Sequence, residues 1–207
     1  MKIVPVDALL LAGGRGSRMG GVDKGLQLLG GRSLAAHALD RLRRQQGERL
    51  ASCMVNANRN LDAYQTLGLP VWPDALPDFP GPLAGFLAGL EHASSSWLLT
   101  VPCDSPLFPL DLLERLAQAA ESEGADLALA LGPDEEGRLR RQPVFCLLRC
   151  ELADSLRAYL QGGGRKIDDW IRSQHHVAVA FDKPGDDPRA FFNANTLAEL
   201  QALEIGL

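Results

Sequence analysis

Residues Leu9–Gly25 read LLLAGGRGSRMGGVDKG: an unbroken apolar run, then glycines packed among Arg15, Arg18 and Lys24. A short apolar run that does not alternate and ends at glycine suits a strand buried on both faces. Glycines placed directly after it let backbone N–H groups converge on an anion. Arginine grips phosphate as a planar fork, whereas lysine acts as a movable point charge. The stretch therefore reads as a phosphate cradle at the end of a strand. It is not a Walker loop, which needs Gly-Lys followed by Ser or Thr, because Lys24 stands between Asp23 and Gly25. Nor is it the GxGxxG dinucleotide pattern, because Met19 occupies the place of the third glycine. A flexible surface turn is the alternative for a bare glycine cluster, and the buried strand before it argues against that.

Outward from this strand, similar apolar runs recur at Leu50–Asn56, Leu69–Trp72, Trp97–Pro102, Ala125–Leu131, Pro143–Leu148 and Val177–Phe181. Helical spacing appears at Leu34–Gln45 behind a Ser33 cap, then at Gly85–Ala93, Leu110–Glu121, Glu151–Leu160, Ile167–Ser173 and Leu197–Leu203. Alternation of the two predicts an α/β fold: three layers, with a mostly parallel sheet and helices on both faces. Ligands of such sheets bind beyond the strands' carboxyl ends, where strand order reverses. That directs attention to the loops after Ala12, Asn56, Trp72 and Pro102. The polar stretches Gly132–Gln142 and Asp182–Arg189 read as solvated connections, with lids over a site as the alternative.

The 207 residues suffice for one sizeable core, so residues 1–207 are expected to form a single domain. A net charge of -5 argues against nucleic-acid or anionic-membrane surfaces, which need a broad positive field. No apolar run approaches the roughly 18 residues of a membrane span, and Asp7 interrupts what would be a signal core. A cytoplasmic location is expected. Cys53, Cys103, Cys146 and Cys150 form no CxxC pair. In a strand Cys146 and Cys150 would lie about 13 Å apart, so reduced thiols are expected rather than a disulfide or shared metal. No histidine takes a role: His175 and His176 would face opposite sides of an extended segment, and His37 and His92 fall on helices.

The pattern L-A-G-G-x-x-x-R-M-G-x-x-x-K, from Leu11 to Lys24, resembles the signature of the MobA family of bacterial molybdenum cofactor guanylyltransferases. The likeness continues in order through VNANR (Val55–Arg59), Asp74, GPLAG (Gly81–Gly85), PCDSP (Pro102–Pro106) and NANT (Asn193–Thr196). The resemblance implies a Rossmann-like nucleotidyltransferase fold, nucleotide-binding in its N-terminal part and pterin-binding in its C-terminal part. It implies transfer of GMP from GTP to molybdopterin-bound molybdenum, with release of pyrophosphate. Carried over residue by residue, it places Leu11, Ala12, Gly13, Gly14, Lys24, Asn56, Asp74 and Asp104 at the nucleotide. Asp104 becomes the Mg²⁺ ligand, with Arg18 and Lys24 as the other catalytic contacts to phosphate. Asn193, Asn195 and Arg165 fall on the pterin side.

Each residue also has a plain structural reading. Asn56 would be a turn residue after a strand, Asp74 a surface carboxylate, Asp104 a helix cap, and Asn195 a cap for the last helix. The partners implied are GTP and molybdopterin, with molybdenum-insertion proteins and molybdoenzyme chaperones on either side, and the chain itself is expected to be a monomer. Three rival activities remain open: cytidylyl transfer to the same pterin, transfer to a sugar or alcohol phosphate, and nucleotide binding without turnover. Gln142 stands before Pro143, where the family often has histidine.

Overall fold

The computed structural model describes residues 4–12, 23–74, 76, 81–134, 136–193 and 199. Its strands are β1 (Val6–Leu11), β2 (Leu28–Leu29), β3 (Arg32–Ser33), β4 (Leu50–Asn56), β5 (Val71–Trp72), β6 (Trp97–Pro102), β7 (Leu127–Pro133), β8 (Leu139–Arg149) and β9 (His176–Ala180). The helices are α1 (Leu34–Arg43), α2 (Leu61–Gln65), α3 (Pro82–His92), α4 (Leu112–Glu123), α5 (Ala153–Gln161) and α6 (Ile167–Arg172). The main sheet runs β5-β4-β1-β6-β8-β7-β9, and β2 and β3 form a separate hairpin.

Strand β1 sits between parallel partners: Leu11 lies opposite Asn56 on β4 and Pro102 on β6. Within the main sheet, among the described residues, only β8 runs against its neighbours, pairing antiparallel with both β6 and β7. The chain moves from β1 to β4 and β5 on one side, then returns to β6 on the other. The reversal of strand order, where such sheets open a crevice, thus falls between β1 and β6.

Two cores explain why β1 is apolar throughout. Val6, Ala8, Leu10 and Ala12 face α1 and α4, where they pack with Ala38, Leu42, Leu112 and Leu116. Leu9 and Leu11 face the opposite layer, with Phe86 and Leu87 of α3, Leu156 of α5 and Trp170 of α6. Alternate residues serve opposite faces, and both faces are covered by helices. Asp7 is the exception in this run. Burial would raise its pKa, yet the value is lowered because its carboxylate accepts hydrogen bonds from Ser95, Ser52 and Ser94. It fastens the foot of β1 to the turn before β6.

Ser33 caps α1 as expected, its hydroxyl accepting from Ala36 N at 3.2 Å. The polar stretch Gly132–Gln142 differs from the expectation of a connection: it forms the end of β7, a tight turn and the start of β8. Asp134 closes that turn by accepting from the backbone N–H groups of Glu136 and Arg138 and from the side chain of Arg140. The stretch Asp182–Arg189 is a pinned connection. Arg115 of α4 forks onto Asp186 at 2.8 and 3.2 Å, donates to Ala180 O and lies over the Phe181 ring. Cys53, Cys103, Cys146 and Cys150 are free thiols, with Cys103 and Cys146 buried. Of the expected helix Leu197–Leu203, only Glu199 lies within the described residues.

Candidate active site

The carboxyl ends of β1, β4 and β6 are stitched together one residue beyond the strands. Ala12 N donates to Asn56 O at 2.8 Å, and Cys103 N donates to Leu11 O at 3.0 Å. Leu11 and Ala12 therefore end in the crevice at the reversal point, and Asp104 follows two residues after β6. No helix begins at Asp104; the next is α4 at Leu112, so the capping role is excluded. Instead Lys24 Nζ lies 3.3 Å from Asp104 Oδ2, joining residues 80 positions apart. Both side chains retain about a fifth of their exposure, 21% and 19%, so the pair faces solvent at the crevice mouth.

The Lys24 backbone is held by its neighbour. Asp23 caps the short 3-10 turn Lys24–Leu26, accepting from Gly25 N at 3.2 Å. The same carboxylate accepts from Tyr64 Oη at 2.6 Å and from Asn60 Nδ2 at 2.9 Å, with the Arg59 guanidinium 3.7 Å away. A Cβ on Gly25 would collide with the Tyr64 hydroxyl and come within 3.0 Å of Cys103 Sγ, so this turn requires glycine. Sequence reasoning missed that Asp23, Asn60 and Tyr64 form the support behind Lys24. Asp23 was visible beside Lys24, but no spacing signals its partners on α2.

At the other end of the crevice, Asn56 Nδ2 donates to Trp72 O at 3.2 Å and to Asp74 Oδ1 at 3.0 Å, and Asn58 Oδ1 accepts from Asp74 N at 2.8 Å. Asp74 is therefore no free surface carboxylate. Burial raises its pKa above the usual aspartate value, against the opposing effect of the hydrogen bonds from Asn56 and Asn58. Gly85 lies directly over this pair. A Cβ there would strike the Asn56 carboxamide and approach Leu11 Cδ2 to 2.7 Å. Gly85→Ala is expected to cost about 1–3 kcal/mol of stability from overpacking. By displacing Asn56 it should also weaken nucleotide binding; thermal melts and calorimetry with GTP measure the two effects.

Asn193 meets the site through Ser105, whose hydroxyl donates to Asn193 Oδ1 beside Asp104. Arg165 follows α5, and its Nη1 donates to the carbonyls of Leu160 and Gly164. Gly13, Gly14, Arg18 and Asn195 lie outside the described residues. The structure thus brings Leu11, Ala12, Lys24, Asn56, Asp74, Asp104 and Asn193 around one sheet end. His92 stacks on Trp72 with centroids 3.7 Å apart and His37 bonds Leu29 O, both packing roles.

Asp104 could hold a hard divalent cation. It is a hard oxygen donor, partly exposed, without a competing soft partner: the adjacent Cys103 thiol is buried and its pKa is raised well above the ordinary value. Among the described residues no group of three or more His, Cys, Asp or Glu side chains converges. A lone carboxylate suits an ion that keeps several waters and takes its remaining ligands from substrate phosphates, as Mg²⁺ does. Among the described residues no helix is long and apolar enough to cross a membrane.

Known proteins agree with this architecture. Residues 8–203 match the family model of the MobA-like NTP transferase domain. The molybdenum cofactor guanylyltransferase of Acidovorax ebreus is 61% identical over 204 residues, covering 96% of this chain and 95% of the relative. That of Cupriavidus necator is 55% identical over 199 residues, covering 96% of each. Among solved structures, the molybdopterin-guanine dinucleotide biosynthesis protein A of Archaeoglobus fulgidus superposes with a TM-score of 0.76 at 22% identity, over 96% of this chain and 97% of that one. The 4-diphosphocytidyl-2C-methyl-D-erythritol synthase of Anaerococcus prevotii gives 0.74 at 11% identity, over 98% of this chain and 96% of that one, which shows the same fold. With its glycine loop, its sheet and nearly its whole length matched, the chain belongs to the MobA-like NTP transferase family.

Proposed function

We propose that this protein transfers the guanylyl group of GTP to the phosphate of molybdenum-bearing molybdopterin, forming the guanine dinucleotide cofactor and releasing pyrophosphate. The observation that carries this reading is the Lys24–Asp104 pair at the reversal point between β1 and β6. It sets a phosphate cation and a carboxylate suited to metal side by side in a crevice. The names of relatives that match nearly end to end supply the nucleotide and the acceptor.

The acceptor is a phosphate monoester with a second pKa of about 6, so near neutrality it is already largely dianionic. One of its oxygens attacks the α-phosphorus of GTP as the bond to the β-phosphate breaks, and pyrophosphate leaves. No general base is required. The difficulty is the approach of two anions in line, which Lys24, Arg18 and backbone N–H groups ease by neutralising and orienting charge. Mg²⁺, held by Asp104, would supply further charge neutralisation at the phosphates. Asn193, Asn195 and Arg165 are assigned to the pterin.

At the base end, the Asp74 carboxylate complements guanine, whose edge presents N–H donors that a carboxylate can accept. Only the ionised carboxylate offers both oxygens as acceptors without a competing O–H. Because the Asp74 pKa is raised, GTP affinity should fall with acidification at a higher pH than for an ordinary aspartate. Calorimetry with Mg²⁺ tests this reading. GTP is expected to bind more tightly than CTP, with an acid limb that Asp74→Asn flattens. Tighter CTP binding, or product from a sugar phosphate but none from molybdopterin, would replace the reading with one of its rivals.

A further inference from the structure

We propose that Asp23, held by Tyr64 and Asn60, is a positioning residue that sets the Lys24 ammonium against the phosphates beside Asp104. The inference rests on the transfer reaction proposed above and extends it to residues one layer behind the site.

Asp23 is buried, at 7% exposure, and its carboxylate takes hydrogen bonds from Tyr64 Oη, Asn60 Nδ2 and Gly25 N. Tyr64 is itself fully buried in the core under α2. The Lys24 backbone is therefore bolted to the core through one carboxylate, and only its side chain is left to reach Asp104. Asn60 provides an independent sign of constraint. At φ 51 and ψ 36 it is the one non-glycine residue with positive φ among the described residues. Asparagine tolerates this conformation, which persists where surroundings over-determine it and which clusters at ligand clamps.

The loop that carries Asn60 also carries Asn56 and Asn58, which hold Asp74. Residues 56–60 thus brace both ends of the crevice at once. Asn56 and Asn58 fix the base-side carboxylate, and Asn60 fixes the phosphate-side lysine through Asp23. Such a brace sets the separation between base and reacting phosphate, and positioning of this kind is sensitive to displacements of about 1 Å.

The test is a double-mutant cycle on the full chain with Tyr64→Phe, Lys24→Ala and their combination. It is read both in turnover with molybdopterin and in calorimetric binding of Mg·GTP. Tyr64→Phe is expected to lower kcat about ten-fold and to weaken Mg·GTP binding about three-fold, and to do neither in the Lys24→Ala background. Asn60→Gly keeps the left-handed backbone and removes the side chain that donates to Asp23, so it should repeat the pattern if Tyr64→Phe does not fold. Equal losses with and without Lys24 would overturn the proposal, since a merely structural role acts in both backgrounds. So would the absence of any loss. If the wild type binds Mg·GTP but makes no guanine dinucleotide, the transfer reading fails while the binding cycle still decides the role of Asp23.

Discussion

Asp104→Ala is expected to lower kcat by about 10² to 10³ with saturating GTP and Mg²⁺, the usual cost of losing one preorganised electrostatic contact at a transferring group. The residue stands in a turn two positions past β6, partly exposed and outside both cores, so its removal leaves the packing of β1 and β6 untouched. Melting temperature should accordingly stay within a few degrees of wild type. Pyrophosphate release measured alongside the melt separates the two outcomes. Asp104→Asn adds a further distinction, because it keeps the shape and removes the charge. A loss nearly as large as for alanine places the effect in the carboxylate's charge, whereas wild-type turnover by either variant removes Asp104 from the catalytic machinery.

The parts of the molecule legible in the sequence are those where one local pattern answers one physical demand. Strands β1 and β6, and β4 in its last three residues, are buried on both faces, and their ends mark the crevice. Strand β8 was only half visible. Pro143–Leu148 is apolar, but the strand begins at Leu139, inside a polar stretch that pairs through its backbone as an exposed hairpin arm. Helix α3 begins at Pro82, not at Gly85. Glycine there suggests a boundary, yet it stands inside the helix so that the helix can lie against Asn56 and Leu11. A glycine's reason for being is often the neighbour it admits, and that neighbour is 29 residues away for Asn56.

The candidate site divides in the same way. Asp104 and Asn56 announce themselves as charge or amide at strand ends, and Lys24 by the glycine-rich stretch before it. The braces do not: Tyr64 reaches Asp23 across 41 positions and Ser105 reaches Asn193 across 88. Such pairings follow from the way helices pack on the sheet, and no spacing along the chain records them.

Lys24→Ala is expected to lower kcat by about 10² to 10³ as well, but to leave the opposite mark on metal binding. With GTP bound, the lysine is assigned to the phosphates, and its loss leaves two approaching anions less neutralised. Without nucleotide, its ammonium lies 3.3 Å from the Asp104 carboxylate and competes with any divalent cation for the same charge. The pair is partly open to solvent, which keeps its worth at roughly 0.5–1 kcal/mol. Removing the lysine should therefore tighten binding of Mn²⁺, as a probe for Mg²⁺, to the nucleotide-free protein by about two- to five-fold, read by electron paramagnetic resonance. Asp104→Ala should weaken the same binding. Two substitutions with equal losses in turnover are thus separated by the sign of one equilibrium measurement. If Lys24→Ala weakened Mn²⁺ binding in the free protein, the lysine would be a support for the Asp104 turn rather than its competitor. The catalytic loss would then have to be assigned to a distorted metal site instead of a missing phosphate cation.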